Sequence, residues 1–175
     1  TWDELQRFLD GGARPLRLRD DAELEHLHWA TTRERQYDEL TVLAMDHRSQ
    51  FEDLCRELKA DPARIPEFKA LALKAVDRVA RGDPRFGVLL DGRYGMRGLE
   101  AAADTPYWIG RPIELPGSRP LAFESSPDVA TELLTWPRHH VVKCLVQYHP
   151  DDPEELRERQ LRQLQRLQDA ARKTR

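Results

Sequence analysis

Two cysteines in 175 residues are too few for a disulfide framework. Cys55 and Cys144 sit in different apolar patterns and read as buried thiols of a reducing compartment, so a cytoplasmic protein is expected. No apolar run approaches the roughly 20 residues of a membrane-spanning helix, so no membrane partner is expected. Neither sign of charge dominates. Lys+Arg number 28 against Asp+Glu 31, interspersed, which offers no basic face to nucleic acid. A Gly-rich phosphate loop and a nucleophile elbow are both missing. Without a nucleotide cradle, phosphoryl transfer is not expected of this segment. His26, His28, His139 and His140 have no metal spacing with Cys or carboxylates and read as surface residues. No metal and no cofactor is expected.

What is present is an alternation. "TWDELQRFLD" (1–10) predicts a short helix stopped by Gly11-Gly12. Residues 13–38 are charged and weakly patterned, and the stretch 1–39 reads as a leader or linker. The texture then changes. "LTVLAMD" (40–46) is an apolar strand. Ser49-Gln50-Phe51-Glu52 has the form of a capping box, and a second helix follows over 66–80 with Ile65, Phe68, Ala72, Val76 and Val79 as its stripe. "FGVLLD" (86–91) is a strand, 96–103 a short helix, and "YWIGRPIEL" (107–115) a strand weakened by Gly110 and Pro112. Ser126-Pro127 reads as a cap with proline at the first helical position. The last strand lies in "HHVVKCLVQY" (139–148). Asp152-Pro153-Glu154-Glu155 then opens a helix with Leu156, Leu164, Leu167 and Ala171 inward. Strands alternating with helices, each strand continuously apolar, predict an α/β fold with a parallel sheet over 40–175.

The polar residues of these strands come late: Asp46, Asp91, Glu114, Gln147 and His149. Ligands of parallel sheets bind at the carboxyl ends, where such residues converge. Arg48, Arg93, Arg111 and Arg119 lie just beyond the same ends and suit phosphate or carboxylate groups. His47, beside Asp46, is also placed for a site. Acidic residues at strand ends equally serve as caps and loop ion pairs. Lys143 is different, because it interrupts an apolar strand. If Val141, Lys143, Leu145 and Gln147 share a face, Val142, Cys144, Val146 and Tyr148 share the other. The first set suits the inside of a barrel, where Lys143 would meet Asp46 and Asp91. Such a lysine forms Schiff bases or holds a substrate oxygen. The plain alternative is a lysine reaching water from an edge strand.

Three stretches together, "LAMDHR" (43–48), "VLLDGRYG" (88–95) and "VVKCLVQYHPDD" (141–152), resemble strands of class I aldolases, with tagatose-bisphosphate and sulfofructose-phosphate aldolases as kin. The sequence is more similar still to the aldolase-like domain fused behind 5-dehydro-2-deoxygluconokinase in bacterial myo-inositol catabolism. "DAELEHLHWATTR" (21–33) and "WIGRPIELPGSRPL" (108–121) look like that subgroup. The resemblance implies a TIM barrel of (β/α)₈ type, of which this chain carries about the first four β/α units, half of the barrel. It implies a C–C lyase domain that acts on or binds a phosphorylated keto-sugar acid, or a non-catalytic sugar-phosphate-binding or regulatory domain of a sugar kinase. Asp46 matches the family's first-strand acid, Asp91 and Tyr94 its second-strand element, and Lys143 a helper lysine of the fourth strand. Two departures stand out: His47 replaces Gln, and Gly92-Arg93 replaces a Pro-Glu pair. The family's Schiff-base lysine belongs to the sixth strand, so the isolated chain is expected to be inactive. The implied partners are a sugar phosphate and a preceding kinase domain. A metal-dependent aldolase using Asp46, Asp91, Glu114 and His149 ranks last. A half barrel exposes its inner face, so either a missing half or self-association is expected.

Overall fold

A computed structural model describes residues 37–124 and 128–174. The expected 1–10 helix, the linker that follows it, and the Ser126-Pro127 cap therefore lie outside the described residues. Four strands form one sheet: β1 (Thr41–Met45), β2 (Phe86–Leu90), β3 (Trp108–Pro112) and β4 (His140–Lys143). All pairings are parallel and the spatial order is the chain order, β1-β2-β3-β4. Among the described residues five α-helices accompany them: α1 (Ser49–Glu57), α2 (Ile65–Ala80), α3 (Met96–Ala102), α4 (Val129–Leu134) and α5 (Glu154–Thr174). A short 3₁₀ turn, Pro62–Arg64, leads into α2. The fold is thus α/β with an all-parallel sheet, as the alternation predicts.

The register divides the strands into two faces, because side chains alternate. Phe86, Val88, Leu90, Ile109, Ile113 and Val142 point to the helices. There they meet Leu73, Val76 and Ala80 of α2, Leu99 and Ala102 of α3, Leu133 of α4, and Leu167 and Ala170 of α5. Among the described residues the strands meet the helix core on this one face, as sequential strand order requires: crossovers of one hand keep returning to the same side. The other face carries Val42, Ala44, Leu89, Trp108, Gly110, Val141 and Lys143 in adjacent registers. It is open. Val42 is 36% exposed, Val141 41% and Leu145, just past β4, 58%.

Glycines fit that face to one aromatic ring. A Cβ on Gly110 would stand 2.5 Å from the Trp108 ring, and one on Gly87 would stand 2.6 Å from the Trp108 carbonyl oxygen. Gly110 weakens a strand by propensity, but here it makes the slot in which the indole lies.

Four details differ from the sequence expectations. The stripe of α2 is turned one residue further round: Ile65, Lys69, Leu73, Val76 and Ala80 are buried, while Phe68 and Val79 are exposed. The capping box at Ser49 does not form. Arg48 already has right-handed helical backbone angles, no side chain caps α1, and Glu52 is held by Tyr94 and Arg93 instead. At α4 the cap is Asp128, whose carboxylate accepts from the Ala130 N–H at 3.2 Å and the Thr131 hydroxyl at 2.6 Å. Asp152 likewise turns backward, accepting from the His149 N–H at 3.1 Å and pairing with Arg119.

Candidate functional site

The carboxyl ends of β1, β3 and β4 supply a connected charged cluster. The Lys143 ammonium, on the open face, donates to Asp46 Oδ2 at 2.9 Å and to Glu114 Oε1 at 3.0 Å. Glu114 is almost fully buried. It also receives Arg48 Nη2 on Oε1 at 2.9 Å and the Leu145 N–H on Oε2 at 3.1 Å. Arg48 continues the chain of contacts. Its Nη1 donates to the Glu114 carbonyl at 2.9 Å and pairs with Glu124, drawn in by the antiparallel bridge Glu114–Phe123. Three carboxylates therefore face two cations.

The contact between Lys143 and Asp46 also reports the shape of the sheet. Three strand spacings of about 4.8 Å would set β1 and β4 roughly 14 Å apart in a flat sheet, with their side chains standing parallel. Two side chains can meet at 2.9 Å across that span only if the sheet curls and tips them toward each other. The open face is therefore concave at its carboxyl end.

Lys143 is 29% exposed on its side chain, enough for solvent or ligand to reach it. Burial pulls its pKa down, but the hydrogen bonds to Asp46 and Glu114 and their charges outweigh it and hold it above the usual lysine value. The group is an ammonium at neutral pH, a donor rather than a nucleophile. The adjacent Cys144 points to the helix layer, where burial pushes its thiol up to about 11, which makes it a poor thiolate.

Asp91 does not join Lys143, contrary to expectation. Its Oδ1 accepts from the N–H groups of Arg93 at 2.9 Å and Tyr94 at 2.7 Å, and its Oδ2 pairs with Lys69. Lys69 and Asp91 are both fully buried. Desolvation lowers the Lys69 pKa against the pull of Asp91. Tyr94 donates its hydroxyl to Glu52 at 2.6 Å, and that bond together with burial raises its pKa. Arg93 pairs with the same Glu52 at 3.1 Å and remains largely exposed.

Other expected residues lie elsewhere. Arg111 alternates with Ile109 and Ile113, so it enters the helix layer and stacks on Trp136 at 4.0 Å. The His47 ring sits edge-on to Phe51, while its carbonyl accepts from Lys69. Gln147 and His149 follow β4 in an exposed stretch. The Gln147 carbonyl accepts from Gln160, and His149 Nδ1 accepts from the Asp151 N–H at 3.2 Å. His140 is buried rather than at the surface, with its ring edge-on to His139. Lys69 and Glu124 are contributors the sequence reading missed. Lys69 has a legible signal, a lysine four residues after Ile65 and four before Leu73 on an apolar stripe. Glu124 has none.

Among the described residues no three His, Cys, Asp or Glu side chains gather where they would hold a metal ion. No described helix is long and apolar enough to cross a membrane. A groove of about 460 Å³ between α1 and α2, lined by Phe51, Leu54, Leu58 and Phe68, shares no residue with the charged cluster.

No curated protein matches this sequence. A family model does, over residues 4–175, and nearly the whole chain is covered. The chain, with its curled parallel sheet and strand-end cluster of Asp46, Arg48, Glu114 and Lys143, therefore belongs to the family described as "Uncharacterized protein conserved in bacteria (DUF2090)".

Proposed function

We propose that this chain carries four β/α units of an aldolase-like barrel, and that its strand-end cluster acts on or binds a phosphorylated keto-sugar acid in carbohydrate catabolism. The observation that carries this reading is the ammonium of Lys143, held between Asp46 and Glu114 on a concave, solvent-reached face. Sequential strand order with the core helices on one side supports a β/α barrel over a doubly wound sheet, which needs a reversal of order. The resemblance to class I aldolases of "LAMDHR", "VLLDGRYG" and "VVKCLVQYHPDD" supplies the reaction class.

In this reading Lys143 donates to a carbonyl or hydroxyl oxygen, and Asp46 accepts from a neighbouring hydroxyl. Arg48 is taken up by Glu114 and Glu124, so the phosphate falls to exposed cations such as Arg93. Asp91 acts through the loop it braces, not on the substrate.

One observation favours the second reading, a sugar-phosphate-binding or regulatory domain beside a kinase. An amine attacks a carbonyl only when neutral, and the raised pKa keeps Lys143 charged, so the cluster described here offers no nucleophilic amine of its own, and a binding domain needs none. A single experiment separates the two. The intact parent protein is mixed with a keto-sugar phosphate and borohydride, and binding is measured alongside by calorimetry. A lysine adduct supports the lyase. Binding without an adduct, weakened at least about tenfold by Lys143→Met through loss of charge-assisted hydrogen bonds, supports the binding domain. No binding at all rejects both.

A further inference from the structure

The β1–α1 and β2–α3 loops are tied by a side chain that belongs to neither. Lys69 rises from the middle of α2 into full burial. Its Nζ donates to the His47 carbonyl at 2.7 Å and to the Asp91 carboxylate, and it lies 5.5 Å from the Phe51 ring centre and 5.8 Å from that of Tyr94. His47 stands between Asp46, which holds Lys143, and Arg48, which holds Glu114. Asp91 in turn gathers the N–H groups of Arg93 and Tyr94. Lys69 thus makes no contact with Lys143 or Glu114, yet it grips the backbone between the two residues that do.

We infer that Lys69 is a positioning residue that sets the β1–α1 loop so that Asp46 reaches Lys143 across the open face. Stability alone does not account for it. A buried ion pair roughly breaks even with well-packed apolar residues, because desolvation offsets the Coulomb gain. An apolar side chain of the same shape would fill the space but offer no donor to the His47 carbonyl. The charged groups felt by Lys69 are Asp91, Asp46 and Arg48, so its own ionisation is bound up with the loop it holds.

The inference rests on the reading of Asp46 and Lys143 as the site, but its test needs no substrate. The Lys143 midpoint is followed by lysine ¹³Cε NMR titration of the whole chain, in the wild type and in Lys69→Met. Deleting a nearby cation would, through the field alone, raise the Lys143 pKa. Releasing Asp46 removes a stabilising carboxylate and lowers it, by about 1 unit for one close charge. A fall supports the inference; no change or a rise overturns it. If Lys69→Met does not fold, Lys69→Gln, which still offers an N–H to Asp91, is judged by the same directions. Lys74→Met, on the exposed side of α2, is the control, and an equal fall there would also overturn the inference. A fall in Lys69→Met from a chain that binds no keto-sugar phosphate would keep the positioning role and reject the aldolase-like function.

Discussion

Lys143 and Lys69 are two lysines with opposite electrostatics, and their substitutions should separate cleanly. Lys143→Met removes a partly exposed cation, and Glu114, one of its two carboxylate partners, keeps Arg48 and the Leu145 N–H. It should cost about 1 kcal/mol or less in urea unfolding. Lys69→Met leaves Asp91 charged in a fully buried site and should cost about 3–5 kcal/mol. Equal costs would show that the two pairs are not buried as differently as the structure has them. Their pH dependence differs in sign as well. The Lys143 pKa is raised in the fold, so its contribution is complete below the ordinary lysine value and is lost as pH climbs through the folded one. The Lys69 pKa is lowered, so the unfolded chain holds that proton more tightly. Its penalty is complete below the folded pKa and fades as pH rises toward the ordinary value. Lys143→Met should therefore lose less stability than the wild type at strongly alkaline pH, measured by denaturant midpoints across that range. A steeper alkaline loss in the variant would contradict the raised value.

At the scale of elements, the strands and helices were legible because their signals are local. Apolar runs and 3.6-residue stripes placed the four strands and five α-helices of the described residues, though β3 and β4 end earlier than read and the 3₁₀ turn Pro62–Arg64 was not read at all. Caps were less legible. Ser49 and Glu52 satisfied the spacing of a capping box, but Glu52 had a stronger partner in the Tyr94 hydroxyl, 42 positions away. The cap that does form is Asp128 at α4. Asp128→Ala should cost about 1 kcal/mol and quicken amide exchange in that short helix first. Unchanged exchange would mean that packing of Val129 and Leu133 holds α4 without the cap. Gly110 read as a weakness in β3, whereas it is the room that Trp108 occupies. Gly110→Ala should cost about 1–3 kcal/mol by overpacking and shift the tryptophan emission. A neutral effect would show that the indole has another place to lie.

For the molecule as a whole, the open face is the dominant physical fact. Val42, Val141 and Leu145 meet solvent, and among the described residues β1 and β4 are the outer strands of the sheet. Exposed apolar surface beside free strand edges drives association. The isolated chain should sediment as a dimer or larger at concentrations well above micromolar, and Leu145→Glu should shift it toward monomer. A monomer at those concentrations, unaffected by the substitution, would show that solvent tolerates this face.

The sequence by itself determined the alternation of strands and helices, the parallel sense of the sheet and the late position of the acids, because each depends on neighbours a few residues apart. It also marked Lys143, since a charge inside an apolar strand is conspicuous. Only the tertiary structure decided which carboxylate each cation would hold. Lys143 took Asp46 and Glu114, Asp91 went to Lys69, and Arg111 turned to Trp136. Those choices depend on register, on the curl of the sheet and on the one-residue rotation of α2. They are fixed by packing among residues 22 to 97 positions apart, at distances no local pattern encodes.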